Sequence, residues 1–383
     1  MNTRAFLSYI TISIAISLSA CSNLAVVENE SLWAPQHFSK STTPLPQIDD
    51  LFRLPSDLEE TIVAAKLRNA PIQNRVNFLL ELVYSDHNRP FLYEGYHSTG
   101  AAETWSKKRG DCLSLSILAY AIGKRLDLPI AVQEVTMPVN FDRRGQVEYL
   151  NGHVNAIILN PFLRLNEKMA GTGQGYMLID FDPAQFTQRR GKILEEKEIL
   201  AHFYNNLGVE AMLKNQKDLA YTYFKSSIQE FPKHTASYTN LSVLYQRSGL
   251  SSNALRVLEF AYEQDRESIL VLRQLSNLYN FTGQAQKASA IQLQIKSVQE
   301  EDPYYWIGRG LFELEHKNYA NAITYLERAQ KFTNGFEEIH QALAVAYLNT
   351  KDLGKAKRQL ELLAEINVDN PKLRYLKGRL AAK

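Results

Sequence analysis

The chain has 383 residues, 43 basic and 41 acidic, for a formal charge of +2. Near neutrality excludes a polybasic chain, so no nucleic-acid partner is expected. Two cysteines exclude a disulfide framework and any multi-cysteine zinc site; no metal and no other cofactor is expected. With 45% hydrophobic residues, the length suits two or three folded domains of roughly 100–200 residues each.

The first element is an address. Arg4 precedes an apolar run, Ala5 to Leu18, of signal-peptide size. The run is short for a membrane span of roughly 20 residues, and it ends in Leu18-Ser19-Ala20-Cys21. This resembles the lipobox of bacterial lipoproteins, which implies cleavage before Cys21 and lipidation of its thiol. Ser22, where an inner-membrane retention signal would have Asp, resembles a Gram-negative outer-membrane address on the periplasmic face. Residues 1–20 are thus expected to be the signal peptide. Residues 21–57 are expected to be a lipidated flexible tether, because Ser39 to Pro46 is polar and proline-broken.

Residues 58–185 mix patterns. Val76, Leu79, Leu80, Leu82 and Val83 mark one amphipathic helix, and Cys112 to Arg125 marks another. The runs 130–135, 154–159 and 176–181 are rich in β-branched or aromatic residues and read as strands, so the region is α+β. Cys112 sits in the first turn of its helix, after Lys107, Lys108 and Arg109. A helix N-terminus and basic neighbours lower a thiol pKa. His153 opens the second strand and Asp180 lies in the third. Cys, His and Asp together can perform nucleophilic acyl transfer: the imidazole takes the thiol proton and the carboxylate orients the imidazole. Alternation puts Asp182 on the same strand face, so spacing leaves it as a competing third member. The plain alternative for Cys112 is a buried small hydrophobe. His87 and His97 read as loop histidines.

Three local contexts, Gly110-Asp111-Cys112, Gly152-His153 and Tyr176-Met177-Leu178-Ile179-Asp180, resemble in order the transglutaminase-like family of papain-type folds. Ala102 to Trp105 fits its lead-in to the cysteine, and Asp127 stands where Gly is usual. The resemblance covers roughly residues 60–185. It implies a papain-like α+β domain, a catalytic Cys112–His153–Asp180 set, and Asp180 rather than Asp182 as third member. The backbone N–H of Cys112 is the natural first oxyanion donor.

The C-terminal half repeats. Stepping by 34 from Ala201 puts Ala220, Ala254, Ala288, Ala322 and Ala356 at position 20 of five units, and Gly208, Ser242, Ser276, Gly310 and Ala344 at position 8. Large residues recur at positions 4, 11 and 24, with Gln292 and Arg309 as departures where apolar residues are usual. This resembles the tetratricopeptide repeat, five copies over 201–370, after a junction at 186–200 containing Gln188 to Lys192 and before a basic capping helix at 371–383. Small residues let two antiparallel helices approach; large ones fill the space between units. By position, Asn205, Thr239, Arg273, Asn277, Asn280, Tyr304 and Gln341 face a groove. Arg273, Asn277 and Asn280 are placed to hold a peptide carboxylate.

The expected protein is therefore an envelope lipoprotein with a thioester-forming site, of protease, amidase or transglutaminase type, and a repeat array for a protein or peptide partner. The alternative is a non-catalytic scaffold lipoprotein that binds through its repeats. Membrane contact is expected only through the N-terminal lipid.

Overall fold

The computed structural model describes residues 30–84, 91–95, 97–135, 141–144, 147–150, 153–159, 176–181, 191–332, 336–366, 368 and 370–382. The apolar N-terminal run, Cys21, His87, Asp182 and residues 188–190 lie outside the described residues. No described helix is long and apolar enough to cross a membrane.

The N-terminal unit opens with helices α1 (Ile48–Phe52), α2 (Ser56–Ala64) and α3 (Ile72–Tyr84). A short parallel pair, β1 (Leu92–Tyr93) and β2 (Arg109–Gly110), flanks α4 (Ala101–Lys107) and leads into α5 (Cys112–Arg125). The strands β3 (Ile130–Val135), β4 (Phe141–Arg144), β5 (Val147–Leu150), β6 (His153–Leu159), β7 (Tyr176–Ile179) and β8 (Lys192–Leu194) follow. Four of them form an antiparallel sheet in the order β7-β6-β3-β8, while β4 and β5 pair as a separate hairpin. Helix α5 is buried all round from Leu113 to Gly123, so it is a core helix rather than a surface one. Gly123 lets it approach the sheet: a Cβ there would lie 2.7 Å from Ile130.

Sequence periodicity located α3, α5, β3, β6 and β7, with α5 beginning and ending where expected. Three boundaries differ. Strand β7 ends at Ile179, so Asp180 follows the strand rather than lying in it. Strand β8 belongs to the first unit's sheet, so that unit does not end at residue 185, and the first repeat helix already begins at Glu196.

The third difference concerns the expected tether. From residue 30 it is a docked strap. Leu32, Ala34, Phe38 and Leu51 are buried. The Tyr245 hydroxyl donates to the Leu32 carbonyl (2.9 Å), and the Ala34 N–H donates to the Tyr221 hydroxyl (3.3 Å). Phe38 stacks on Tyr221 with centroids 4.5 Å apart, and the Tyr204 hydroxyl donates to the Pro46 carbonyl (2.6 Å). Scattered apolar residues in an aperiodic segment find a ready-made surface on the helices; no period within the segment itself encodes that surface.

The helical half consists of antiparallel pairs: α6 (Glu196–Leu213) with α7 (Lys217–Glu230), α8 (Thr235–Arg247) with α9 (Ser251–Gln264), α10 (Ile269–Phe281) with α11 (Ala285–Glu301), α12 (Pro303–Glu315) with α13 (Tyr319–Phe332), and α14 (Glu337–Thr350) with α15 (Leu353–Ile366), closed by α16 (Pro371–Ala381). Starts of the second helices step by 34 from Lys217 to Leu353. The five position-20 alanines are all buried. Added Cβ atoms at Gly208 and Gly310 would come within 2.5 Å of Phe224 and Leu326, so position 8 crosses position 24 of the same unit. Position 15 has a positive φ in every unit: Asn215, Gly249, Gly283, Lys317 and Lys351. In each, the following N–H bonds back to the position-11 carbonyl (2.8–3.0 Å), a Schellman closure of the first helix.

Candidate functional site

Helix α5 starts because Asp111 caps it. One carboxylate oxygen of Asp111 accepts from the Ser114 N–H (2.8 Å) and from the Ser114 hydroxyl (2.6 Å); the other accepts from the Ser98 hydroxyl. Asn206 on α6 donates to Ser98 (3.0 Å), which ties the cap to the first repeat. Cys112 follows the cap, partly exposed as a residue and packed against the core. Its helix packs on β6 next to His153, where the Ser116 hydroxyl donates to the Val154 carbonyl (3.5 Å).

His153 and Asp180, expected to act together, are paired. The His153 Nε2 lies 2.7 Å from Asp180 Oδ2, and both side chains are buried. With the carboxylate ionised, Nε2–H donates, and the lone pair on Nδ1 is left to act as a base. Asn155 Nδ2 donates to the same Asp180 oxygen (3.0 Å). The Tyr84 hydroxyl donates to the Asp180 carbonyl (3.0 Å). The competing Asp182 lies outside the described residues.

The expected electrostatics of the thiol are corrected. Burial pushes the Cys112 thiol up to about 12, with Asp111 and then Asp180 adding repulsion. The three basic residues do not offset this, because each is engaged elsewhere. Lys107 bridges Glu103 (2.5 Å), and Arg109 faces Glu94 (3.5 Å). The Lys108 ammonium lies 3.2 Å from the Trp105 ring centre and 4.7 Å from that of Phe91. The capping carboxylate that starts the helix also disfavours a thiolate beside it.

The repeat residues divide similarly. Asn205 is buried and accepts from Ser237 (3.2 Å) and Asn240 (2.9 Å), joining the first two units rather than facing a ligand. Thr239 is buried and donates to the Ala236 carbonyl (2.8 Å). Tyr304 packs in the second core with Phe336, centroids 5.3 Å apart. Asn277 and Asn280 are exposed on α10, and Arg273 and Gln341 are half-buried. Sequence reasoning missed Asp111, Gln133 and Asn155. For Gln133 and Asn155 the signal was a polar residue in the middle of each of two strands otherwise rich in β-branched residues. His97, read as a loop histidine, is in a loop and contacts Glu210 on α6 (3.1 Å).

Residues 313–380 match the tetratricopeptide repeat family model. The helical half as a whole repeats antiparallel helix pairs at the 34-residue step, a tetratricopeptide-like array. Among solved structures, the chain is similar to PilF of Pseudomonas aeruginosa, with 17% identity over 49% of this chain and 86% of that one (TM-score 0.27). It is also similar to a thermophilic repeat protein of Thermus thermophilus, with 22% identity over 48% and 97% (TM-score 0.24). A third is YrrB, described as having an unusual peptide-binding site, with 15% identity over 46% and 92% (TM-score 0.25). No curated protein matches this chain.

Proposed function

We propose that the chain is a repeat-based scaffold that binds a peptide or protein partner at the cell envelope. The observation that carries this reading is the in-register array, whose helix α10 exposes Asn277 and Asn280 beside Arg273. A cation followed at i+4 and i+7 by two amides on one helix face suits a carboxylate at a peptide terminus. Fluorescence anisotropy with paired peptides, one ending in a free carboxylate and one amidated, tests it. The free form binds more tightly, and Asn277→Ala with Asn280→Ala removes the difference; equal binding of both peptides to the wild-type chain rejects the carboxylate subsite. The envelope part of the reading rests on Leu18-Ser19-Ala20-Cys21 and Ser22. Cys21→Ala abolishes incorporation of a labelled fatty acid, and equal labelling of both forms rejects the anchor.

A second reading is favoured by the buried His153–Asp180 pair, whose histidine opens the strand on which the Cys112 helix packs. In it, the α+β unit is the transglutaminase-like domain that the sequence resembles, and Cys112 is an acyl-transfer nucleophile. Because the resting thiol is protonated, the Nδ1 lone pair of His153 takes its proton as Sγ bonds to an amide carbonyl carbon. The C–N bond then breaks, the same proton passes to the departing nitrogen, and a thioester remains. Water or an amine attacks the thioester and restores the thiol. A glutamine peptide with hydroxylamine, read as hydroxamate, tests it. Product forms with the wild-type chain and disappears in Cys112→Ser and His153→Ala; no product from the wild type leaves the scaffold reading alone.

A further inference from the structure

Two buried amides lead to the same carboxylate. Gln133 and Asn155 sit directly opposite each other on β3 and β6, and both are fully enclosed. The Gly191 N–H donates to Gln133 Oε1 (2.9 Å), Gln133 Nε2 donates to Asn155 Oδ1 (2.9 Å), and Asn155 Nδ2 donates to Asp180 Oδ2 (3.0 Å). That oxygen also takes the Nε2–H of His153 (2.7 Å). The direction of this chain is fixed at its far end. A backbone N–H can only donate, so Gln133 must turn its oxygen toward Gly191 and its amino group toward Asn155. Asn155 must then turn its amino group toward Asp180. Gly191 is itself held there by space: a Cβ on it would fall 2.0 Å from the Glu134 carbonyl oxygen. An apolar cross-strand pair would fill the same sheet positions without burying two amides. The polar pair therefore does something packing does not require.

We infer that Gln133 and Asn155 are positioning residues that hold the Asp180 carboxylate, and through it the ring orientation and tautomer of His153. Asn155 supplies the donor that fixes which Asp180 oxygen faces the imidazole. Gln133 keeps Asn155 from flipping, and the Gly191 backbone anchors Gln133. Use of the oriented imidazole as a base toward Cys112 rests on the acyl-transfer reading above; the orientation itself does not.

The test uses the whole chain with ¹⁵N-labelled histidine. In the wild type, the His153 ring nitrogens report one tautomer, protonated at Nε2. In the shape-conserving double variant Gln133→Met, Asn155→Leu, they report a tautomer mixture, while the urea unfolding midpoint stays close to wild type. If the double variant does not fold, Gln133→Met alone, two hydrogen bonds from the carboxylate, gives the same change in smaller measure. An unchanged His153 tautomer in a folded variant overturns the proposal, as does a wild type that already shows a mixture. Iodoacetamide modification of Cys112 is followed in parallel. A roughly tenfold slowing in the variant and in His153→Ala, equivalent to about one pKa unit, extends the positioning role to the thiol. A tautomer change with no change in modification by either variant rejects only the acyl-transfer reading and leaves the positioning role supported.

Discussion

At the scale of single residues, environment decides what type and spacing leave open. Cys112 stands at a helix N-terminus after three cations, and that pattern favours a thiolate. The cations are taken up by Glu103, Glu94 and the Trp105–Phe91 pair, while the capping carboxylate of Asp111 stays beside the sulfur. Iodoacetamide modification of Cys112 is therefore expected to be slow at neutral pH and to accelerate only in alkaline solution. Asp111→Asn keeps a capping oxygen and removes the charge, so its profile moves to lower pH; an unmoved profile would mean that burial alone sets the thiol. The histidine pair at the joint between sheet and array was not legible at all. His234 Nε2 and His202 Nδ1 approach to 3.3 Å, and His234 Nδ1 bonds Ser237 (2.7 Å). Burial depresses both pKa values, and for His234 the neighbouring His202 and Lys192 add to it. Glu134 and Glu198 face His202 and oppose the shift only in part. The unfolded chain takes up protons below about pH 6.5 while the native chain resists them. Stability is thus complete above that pH and falls as the pH drops toward the depressed native values, by up to about 1.4 kcal/mol per pH unit for each excluded proton. Urea midpoints at pH 7.5 and 5.5 check this: the wild type loses more than His234→Gln does.

At the scale of elements, periodic segments were readable and aperiodic ones were not. The 34-residue step located the helix pairs because each unit must repeat the same crossing of a small residue on a large one, as Gly208 does on Phe224. Helix α5 was readable from its run of apolar residues, while its Asp111 cap was not. The strap was not, since Leu32, Ala34 and Phe38 acquire meaning only against Tyr221 and Tyr245, far away in the sequence. Phe38→Ala removes a buried ring and is expected to destabilise by about 3 kcal/mol. It should also expose the strap to limited proteolysis before the helices. A strap no more readily cleaved than in the wild type would show that it holds without its aromatic anchor. The turn at position 15 gives a change in the opposite direction. Lys351 holds φ at 62°, where Gly249 and Gly283 hold 77° in their units. A side chain in that conformation costs roughly 1–2 kcal/mol, part of which glycine returns as unfolded-state entropy. Lys351→Gly should therefore raise the urea midpoint slightly, and a lowered midpoint would mean that the lysine side chain contributes more than its backbone strain costs.

At the scale of the whole molecule, two departures from the repeat pattern coincide with a break in the core. Position 24 is a buried aromatic or leucine in four units, Phe224, Leu258, Leu326 and Leu360, and exposed Gln292 in the third. Position 7 is leucine in every unit except the fourth, where Arg309 turns outward to bond the Tyr325 hydroxyl (3.0 Å). Gln292 makes its crossing as a hydrogen bond to Ser276 (2.7 Å) instead of an apolar contact. One hydrophobic core runs from Leu32 to Ile295, through the N-terminal unit and three repeats; a second runs from Ile307 to Leu376. Between them α12 touches α11 only lightly, and Phe281, Leu293 and Phe312 remain exposed. In repeat arrays, stability is close to a sum of unit and neighbour-interface terms, so a weak interface separates cooperative blocks. Unfolding in urea is expected in two steps, with the block after residue 302 giving way at a different midpoint from the block before it. A tryptophan signal separates them, since Trp306 lies in the later block and Trp33 and Trp105 in the earlier. Gln292→Leu with Arg309→Leu restores the residue types of the other units. Ser276 keeps a partner in the Ala288 carbonyl (3.4 Å), so no buried hydroxyl is orphaned. Two leucines reburied at roughly 1.5–3 kcal/mol each would couple the blocks and bring the two midpoints together. A wild type that unfolds in one coincident step, by fluorescence and by circular dichroism, would show that the strap and the remaining seam contacts already couple the halves. Two steps that persist unchanged in the double variant would place the break elsewhere than at these side chains.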